Sequence, residues 1–115
     1  MKSSLFTAGL VTVALALSTG SVFAQCGGAS WYSLPGNKTA NGEIMNPSAM
    51  TAAHKSLPFG SKVRVTDQNS GRSVVVTIND RGPFIRGRII DLSRQAANEL
   101  GIRNAGHAPV CIEQI

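Results

Sequence analysis

The sequence predicts a mainly β protein, a small closed barrel of short strands with one or two short helices. Three observations predict it. Short β-branched or alternating runs recur between Gly-, Pro- and Asn-rich turns beyond residue 25. A single segment carries the capped apolar stripe of a convincing helix. The chain has 115 residues, enough for one domain, and a barrel lets many short strands close on each other without exposed edges. Hydrophobic residues make up 43% and charged residues 15%, which excludes a disordered tail or a highly charged nucleic-acid arm.

The first 24 residues are read separately. A positive charge at Lys2 precedes the apolar run Leu5–Leu17, and Val22 and Ala24 occupy the small-residue positions of a cleavage site before Gln25. This predicts a signal peptide over 1–24 and an exported domain over 25–115. A membrane anchor is the competing reading. The apolar run is short for a span, and Ser18, Gly20 and Ser21 follow it. Lipid attachment at Cys26 would call for a small residue ahead of it, where Gln25 stands. The expected product is free of a stable membrane anchor, periplasmic or extracellular, and monomeric.

Ala29–Ser33 reads as the first strand, ended by Pro35-Gly36-Asn37. A short helical turn is expected over Ser48–Ala53. Lys62–Thr66 alternates strictly, so one face is buried. Asp67–Gly71 makes a hairpin loop. Ser73–Ile78 is a continuous β-branched run, read as a strand covered on both sides and broken by Asn79–Pro83. Arg88–Leu92 is another strand. Ser93 caps a helix whose Ala96, Ala97 and Leu100 form the stripe and Gly101 the stop. Val110–Glu113 closes the barrel.

The two cysteines, Cys26 and Cys111, bracket the exported domain. In an oxidising compartment they read as one disulfide between the first and last strands. Closing so long a loop contributes about 4 kcal/mol in the chain-entropy account. No Cys/His spacing supports a metal site at His54 or His107, and no cofactor is expected.

Chemistry-bearing residues gather in three loops: Thr39–Glu43, Thr51–His54 with Leu57–Gly60, and Asn79–Phe84, with Asp91 near the end of the next strand. Singly, each has a structural explanation. Glu43 can be a solvated loop acid, His54 a histidine satisfied by backbone, Asp80 an acceptor of turn N–H groups, and Asp91 a helix-start charge.

Their joint frame is more specific. The run TAAHKSLPFGSKVRVTDQNSGRSVVVTINDRGPFIRGRIIDLSRQAANELG, with ASWYS and the NGE loop upstream, resembles the rare lipoprotein A family of the bacterial envelope. NDRGPF and GRIIDLS carry the resemblance most specifically, and it spans the domain. It implies a six-stranded double-psi β-barrel with a groove across one face. It also implies lytic transglycosylase activity on peptidoglycan strands stripped of stem peptides. The family's acidic, imidazole and acidic residues fall on Glu43, His54 and Asp80. Many members carry a lipid anchor and a glycan-targeting domain beyond the barrel.

Cleaving a glycosidic bond requires a proton donor at the leaving oxygen and charge stabilisation at C1. In a lytic transglycosylase the sugar's own C6 hydroxyl attacks C1, so one carboxyl can act first as acid and then as base. Asp80 is expected in that role, with its pKa raised by burial, and Glu43 across the groove either stabilises positive charge at C1 or orients the sugar. The reverse assignment stays open. His54 hydrogen-bonds substrate or a carboxylate. Trp31 and Tyr32 point to opposite sides of a strand, so one of them at most lines a given groove. They are candidates for sugar contact, together with Asp91. Arg81, Arg86 and Arg88 suit the lactyl carboxylates that stripped strands expose, with internal pairing of Arg81 as the alternative. The net charge of +5 comes without a basic, aromatic-interleaved stripe, so nucleic acid is not an expected partner. Two further functions share such a scaffold: a non-catalytic binder of cell-wall carbohydrate, and a secreted protease inhibitor or effector.

Overall fold

The computed structural model of the protein describes residues 23–115, so the predicted signal segment up to residue 22 lies outside the described residues. Six strands follow in chain order: β1 (Ala24–Tyr32), β2 (Thr51–Ala53), β3 (Lys62–Asp67), β4 (Ser73–Asp80), β5 (Arg88–Ser93) and β6 (His107–Gln114). Helix α1 (Arg94–Leu100) lies between β5 and β6. The strands close into a barrel in the order β1-β5-β2-β4-β3-β6. The β1–β5 and β2–β4 pairs are parallel, and every other neighbouring pair is antiparallel.

The core follows from the alternation. Val63 and Val65 of β3, Val76 and Ile78 of β4, Ile90 and Leu92 of β5 and Val110 and Ile112 of β6 are almost completely buried. They meet Ala29 of β1 and Ala52 of β2, whose small side chains let the strands approach across the barrel. Helix α1 is capped as expected: the Ser93 hydroxyl accepts the Ala96 N–H, and Gly101 ends it in the left-handed conformation at φ 87°. Its Ala96, Ala97 and Leu100 cover the core.

Two expectations are corrected. Ser48–Ala53 forms no helical turn, because Thr51–Ala53 is β2, wedged between β4 and β5. Helix-forming Ala and Met residues yield there to the two ladders that claim the segment. Nor is β4 covered on both sides: its exposure alternates, and Val75 is 42% exposed beside fully buried neighbours. The strand also runs on through Asn79 and Asp80 instead of breaking before them. β1 starts earlier than expected, and its N-terminal half pairs with β6.

Cys26 faces Cys111 across the β1–β6 ladder, and the two are joined in a disulfide. It ties segments 85 residues apart in sequence. The bond fits an extracytoplasmic compartment.

Two ladders carry an extra residue just ahead of an aspartate. In β1–β5, Gly28 pairs with Arg88 and Ala29 with Ile90, leaving Ile89 as the extra residue before Asp91. In β2–β4, Ala52 pairs with Ile78 and Ala53 with Asp80, leaving Asn79 as the extra residue before Asp80. Such bulges re-aim the side chains that follow them. Gly27 makes room for the first: a Cβ there would stand 2.7 Å from Ile89 Cγ2. Gly27→Ala is therefore expected to destabilise the fold by about 1–3 kcal/mol through overpacking, as measured by urea unfolding.

Candidate active site

The Asn79 bulge decides where Asp80 points. Ala52 and Ile78 are paired and fully buried, so they define the inward side. Ala53 and Asp80 form the next pair and face the other way. Without the extra residue, Asp80 would share the inward side with Ile78. Ala53 also pairs with Asp91 on its far flank, and Asp91 pairs with Ser30. A row Asp80–Ala53–Asp91–Ser30 thus crosses β4, β2, β5 and β1. Two strand spacings separate the aspartate Cα atoms by about 10 Å, with the buried Ala53 between them.

The two carboxyl groups sit in different surroundings. Asp80 accepts three hydrogen bonds: the Tyr32 hydroxyl at 2.9 Å on Oδ2, and the Ala40 and Arg81 N–H groups, each at 2.9 Å, on Oδ1. Asp91 accepts the Ser30 hydroxyl at 2.8 Å on Oδ1. Burial raises its pKa above the ordinary range, and the charge of Asp80 adds to that, against the Ser30 hydrogen bond and the cationic Arg88. The Tyr32 hydroxyl is pushed far upward by burial and by its hydrogen bond to Asp80, so it stays a neutral donor.

Glu43 reaches the same strand end from the 39–43 loop. Thr39 anchors this loop through its hydroxyl, 2.6 Å from Asn41 Oδ1, and Asn41 Oδ1 also accepts the Glu43 N–H. The loop is tied to β4 by the Asn41 N–H on the Asn79 carbonyl. Asn79 Nδ2 donates to Glu43 Oε1 at 3.1 Å. Hydrogen bonds from Asn41 and then Asn79 lower the Glu43 pKa, so this exposed group is a carboxylate.

His54 stands apart from the carboxylates. Its Nδ1 accepts the Ser56 and Leu57 N–H groups, both at 3.1 Å, and its Nε2 faces Gln25 Oε1 at 3.1 Å. That network assigns the neutral tautomer with the proton on Nε2. Burial, then Arg81 and Lys55, lower its pKa and keep it neutral. Its tie to Asp80 is through the main chain, the His54 N–H on the Asp80 carbonyl at 3.2 Å.

Arg81 is engaged locally. Its Nη1 donates to the His54 and Leu57 carbonyls, and its guanidinium stacks 4.0 Å above the Phe59 ring. The one ion pair among the described residues is Arg64–Glu113, so neither Asp80 nor Asp91 is salt-bridged to Arg81. Arg86 is exposed on the loop ahead of β5. Trp31 and Tyr32 do diverge. Trp31 Nε1 donates to the Arg103 carbonyl and its ring packs against the core, while Tyr32 reaches Asp80.

Sequence reasoning passed over Ser30 and named Asn79 and Phe84 only as members of the 79–84 loop, with no role of their own. Ser30 was within reach, because it alternates in phase with Tyr32 on β1. The bulge at Asn79 gave no signal, since a bulge depends on the partner strand. Phe84 is 79% exposed, an aromatic ring resting against the bare Cα of Gly82.

Comparison with known proteins agrees with this architecture. A family model described as lytic transglycolase matches residues 24–112. A probable endolytic peptidoglycan transglycosylase RlpA of Nostoc sp. is 67% identical over 78 residues, which are 68% of this chain and 21% of the relative. The endolytic peptidoglycan transglycosylase RlpA of Neisseria meningitidis is 55% identical over 95 residues, 81% of this chain and 40% of the relative. The chain thus spans less than half the length of these relatives. Among solved structures, the Streptomyces papain inhibitor superposes with a TM-score of 0.66 at 22% identity, covering 81% of this chain and 94% of its own, a likeness of fold. A Clavibacter michiganensis expansin superposes at 0.64 with 28% identity, covering 81% and 50%. With the match running from the first strand into the last, the chain belongs to the rare lipoprotein A-like lytic transglycolase family of double-psi β-barrels.

Proposed function

We propose that this domain is exported and cleaves peptidoglycan glycan strands as a lytic transglycosylase, leaving 1,6-anhydro-muramic ends. The observation that carries the reading is the pair Asp80 and Asp91, held on one face across Ala53 in different surroundings: Asp80 accepts three hydrogen bonds, and Asp91 is half-buried with one hydroxyl partner and a pKa raised by burial. Two carboxyls so placed can divide acid–base work. Family membership and the names of the RlpA relatives support the same chemistry. An expansin, half of whose chain shares this barrel, was crystallised in complex with cellohexaose, which supports a glycan as the substrate class.

In this reading the Asp91 carboxyl gives its proton to the glycosidic oxygen as the C1–O bond breaks. Asp80 faces the positive charge that grows at C1 and accepts the C6 hydroxyl proton as that oxygen bonds C1. Glu43 orients the sugar from the opposite loop. His54 is a positioning residue: it holds the 54–57 turn whose carbonyls, with its own, fix Arg81 beside Asp80. Exposed Arg86 meets the lactyl carboxylates of peptide-stripped strands, which accounts for a preference for them.

Three measurements test this. The oxidised domain and its Asp80→Asn and Asp91→Asn variants are incubated with sacculi and amidase-stripped strands, and soluble products are read by mass spectrometry. Wild-type protein is expected to release anhydro-muramic products, and each variant to lose about 10²–10⁴ of the rate. Products with a hydrated reducing end, or none, overturn the mechanism.

Asp91 also carries a stability signature. A carboxyl whose folded pKa is raised contributes stability below its unfolded pKa and loses it as pH rises through the folded value. Asp91→Asn is therefore expected to raise Tm at pH 7, with the gain vanishing near pH 3.

His54 has the opposite sign. Its folded pKa is lowered, so its contribution is present above pH 6.5 and is lost as pH falls through the folded value. His54→Ala leaves two N–H groups without their acceptor, an expected loss of about 1–3 kcal/mol at pH 7.5 that shrinks at pH 5.5 in urea unfolding.

A further inference from the structure

A cavity of about 260 Å³ opens beside the carboxylates, lined by Glu43, Ile44, Asn46, Ala49, Thr51 and Asn79. It is of a size to take one sugar residue, smaller than a drug-sized pocket. Asp80 and Asp91 do not line it, so it lies next to the proposed reacting bond, joined to it through Asn79, the neighbour of Asp80.

Its polar groups have assigned directions. Glu43 is an anion held by Asn41 and Asn79, and it offers acceptors alone. Asn79 is 6% exposed. Its Nδ2 is committed to Glu43, which fixes the other end as carbonyl, and this Oδ1 is buried with no donor. That oxygen has no surface for a ligand to reach, so Asn79 serves the cavity by holding Glu43 in place. Asn46 is the reverse case. Its Oδ1 accepts the Ser48 N–H, which leaves the amide Nδ2 as a donor. Ile44, 57% exposed, and Ala49 supply an apolar wall.

An acceptor, a donor and an apolar wall within one small cavity complement the N–H, C=O and CH₃ of an acetamido group. The geometry points to this cavity as a subsite for the 2-acetamido group of an N-acetylated amino sugar, with Asn46 on its carbonyl, Glu43, held by Asn79, toward its N–H, and Ile44 and Ala49 on its methyl. The assignment rests on the glycan-cleaving reading above and adds the feature of the strand that is recognised beside the scissile bond. A glycan without acetamido groups brings a free ammonium, which pairs with Glu43 but gives Asn46 no acceptor, or a hydroxyl, and neither fills the apolar wall.

The test titrates the ¹⁵N-labelled oxidised domain with soluble peptide-stripped glycan strands, once fully N-acetylated and once chemically de-N-acetylated. Backbone amide shifts over residues 43–51 are the readout. Acetylated strands are expected to shift these signals and to bind about tenfold more tightly, the worth of one or two matched hydrogen bonds. Asn46→Asp, an exposed substitution that turns the donor into an acceptor, is expected to erase that preference while its melting curve stays that of the wild type. Equal affinity for the two strands, or shifts confined to other parts of the groove, overturns the subsite and leaves the peptidoglycan reading standing. Binding of neither strand overturns the peptidoglycan reading, and the subsite with it.

Discussion

Backbone register, more than any side-chain contact, organises the groove. In a regular strand, Asp80 would follow Ile78 to the inside of the barrel, where an unpaired carboxylate is prohibitively costly. The single extra residue at Asn79 turns it outward beside Ala53. A second extra residue, Ile89, sets Asp91 on the other flank of the same alanine, against Ser30. The tether from Asn79 to Glu43, the Tyr32 hydroxyl on Asp80 and the Ser30 hydroxyl on Asp91 all presuppose those two shifts. Gly27 belongs to the same set, because the bulged Ile89 rests where its side chain would be.

Much of this fold was legible because alternation and capping are local. The buried positions of β3, the Ser93–Gly101 helix and the divergence of Trp31 from Tyr32 all follow from strand or helix period. The disulfide followed from compartment and count. The Ser48–Ala53 segment failed because its composition favours a helix, whereas its conformation is set by β4 and β5, both distant in sequence. The β-branched run in β4 read as doubly covered because Val75 is as apolar as Val74 and Val76, yet only its neighbours face inward. The bulges had no local signature at all. They are properties of pairs of strands, so the opposed settings of Asp80 and Asp91 could not be read from one chain of letters. Glu43, His54 and Asp80 were singled out by resemblance, and the structure distributes them unequally: two acids near one strand end, and a histidine turned toward Gln25 and its own turn.

That inequality gives each polar group a different relation to stability. Asp80 and Glu43 are held by donors, and His54 is kept neutral by burial and the nearby Arg81 and Lys55 while its ring accepts two main-chain N–H groups, so all three are at rest in the folded state. Asp91 is the strained member, a half-buried carboxyl with one hydroxyl partner and a like charge nearby. Strain concentrated on one group is what sites of proton transfer commonly show, and it is tolerated because the surrounding ladder is rigid. The arginines divide similarly. Arg81 is spent on holding the 54–57 turn, while Arg86 projects from the surface.

The order of strands around the barrel also bears on how the chain comes to be folded. β1 has β5 and β6 as its neighbours, and β3 has β4 and β6. The first strand synthesised therefore finds neither partner until the second half of the chain has been delivered, and the ring cannot shut before β6 arrives. Nearly all pairing is long-range, which makes closure slow relative to helical domains. While the chain is still being delivered there is thus no finished barrel, and the thiols of Cys26 and Cys111 meet only when the last strand docks.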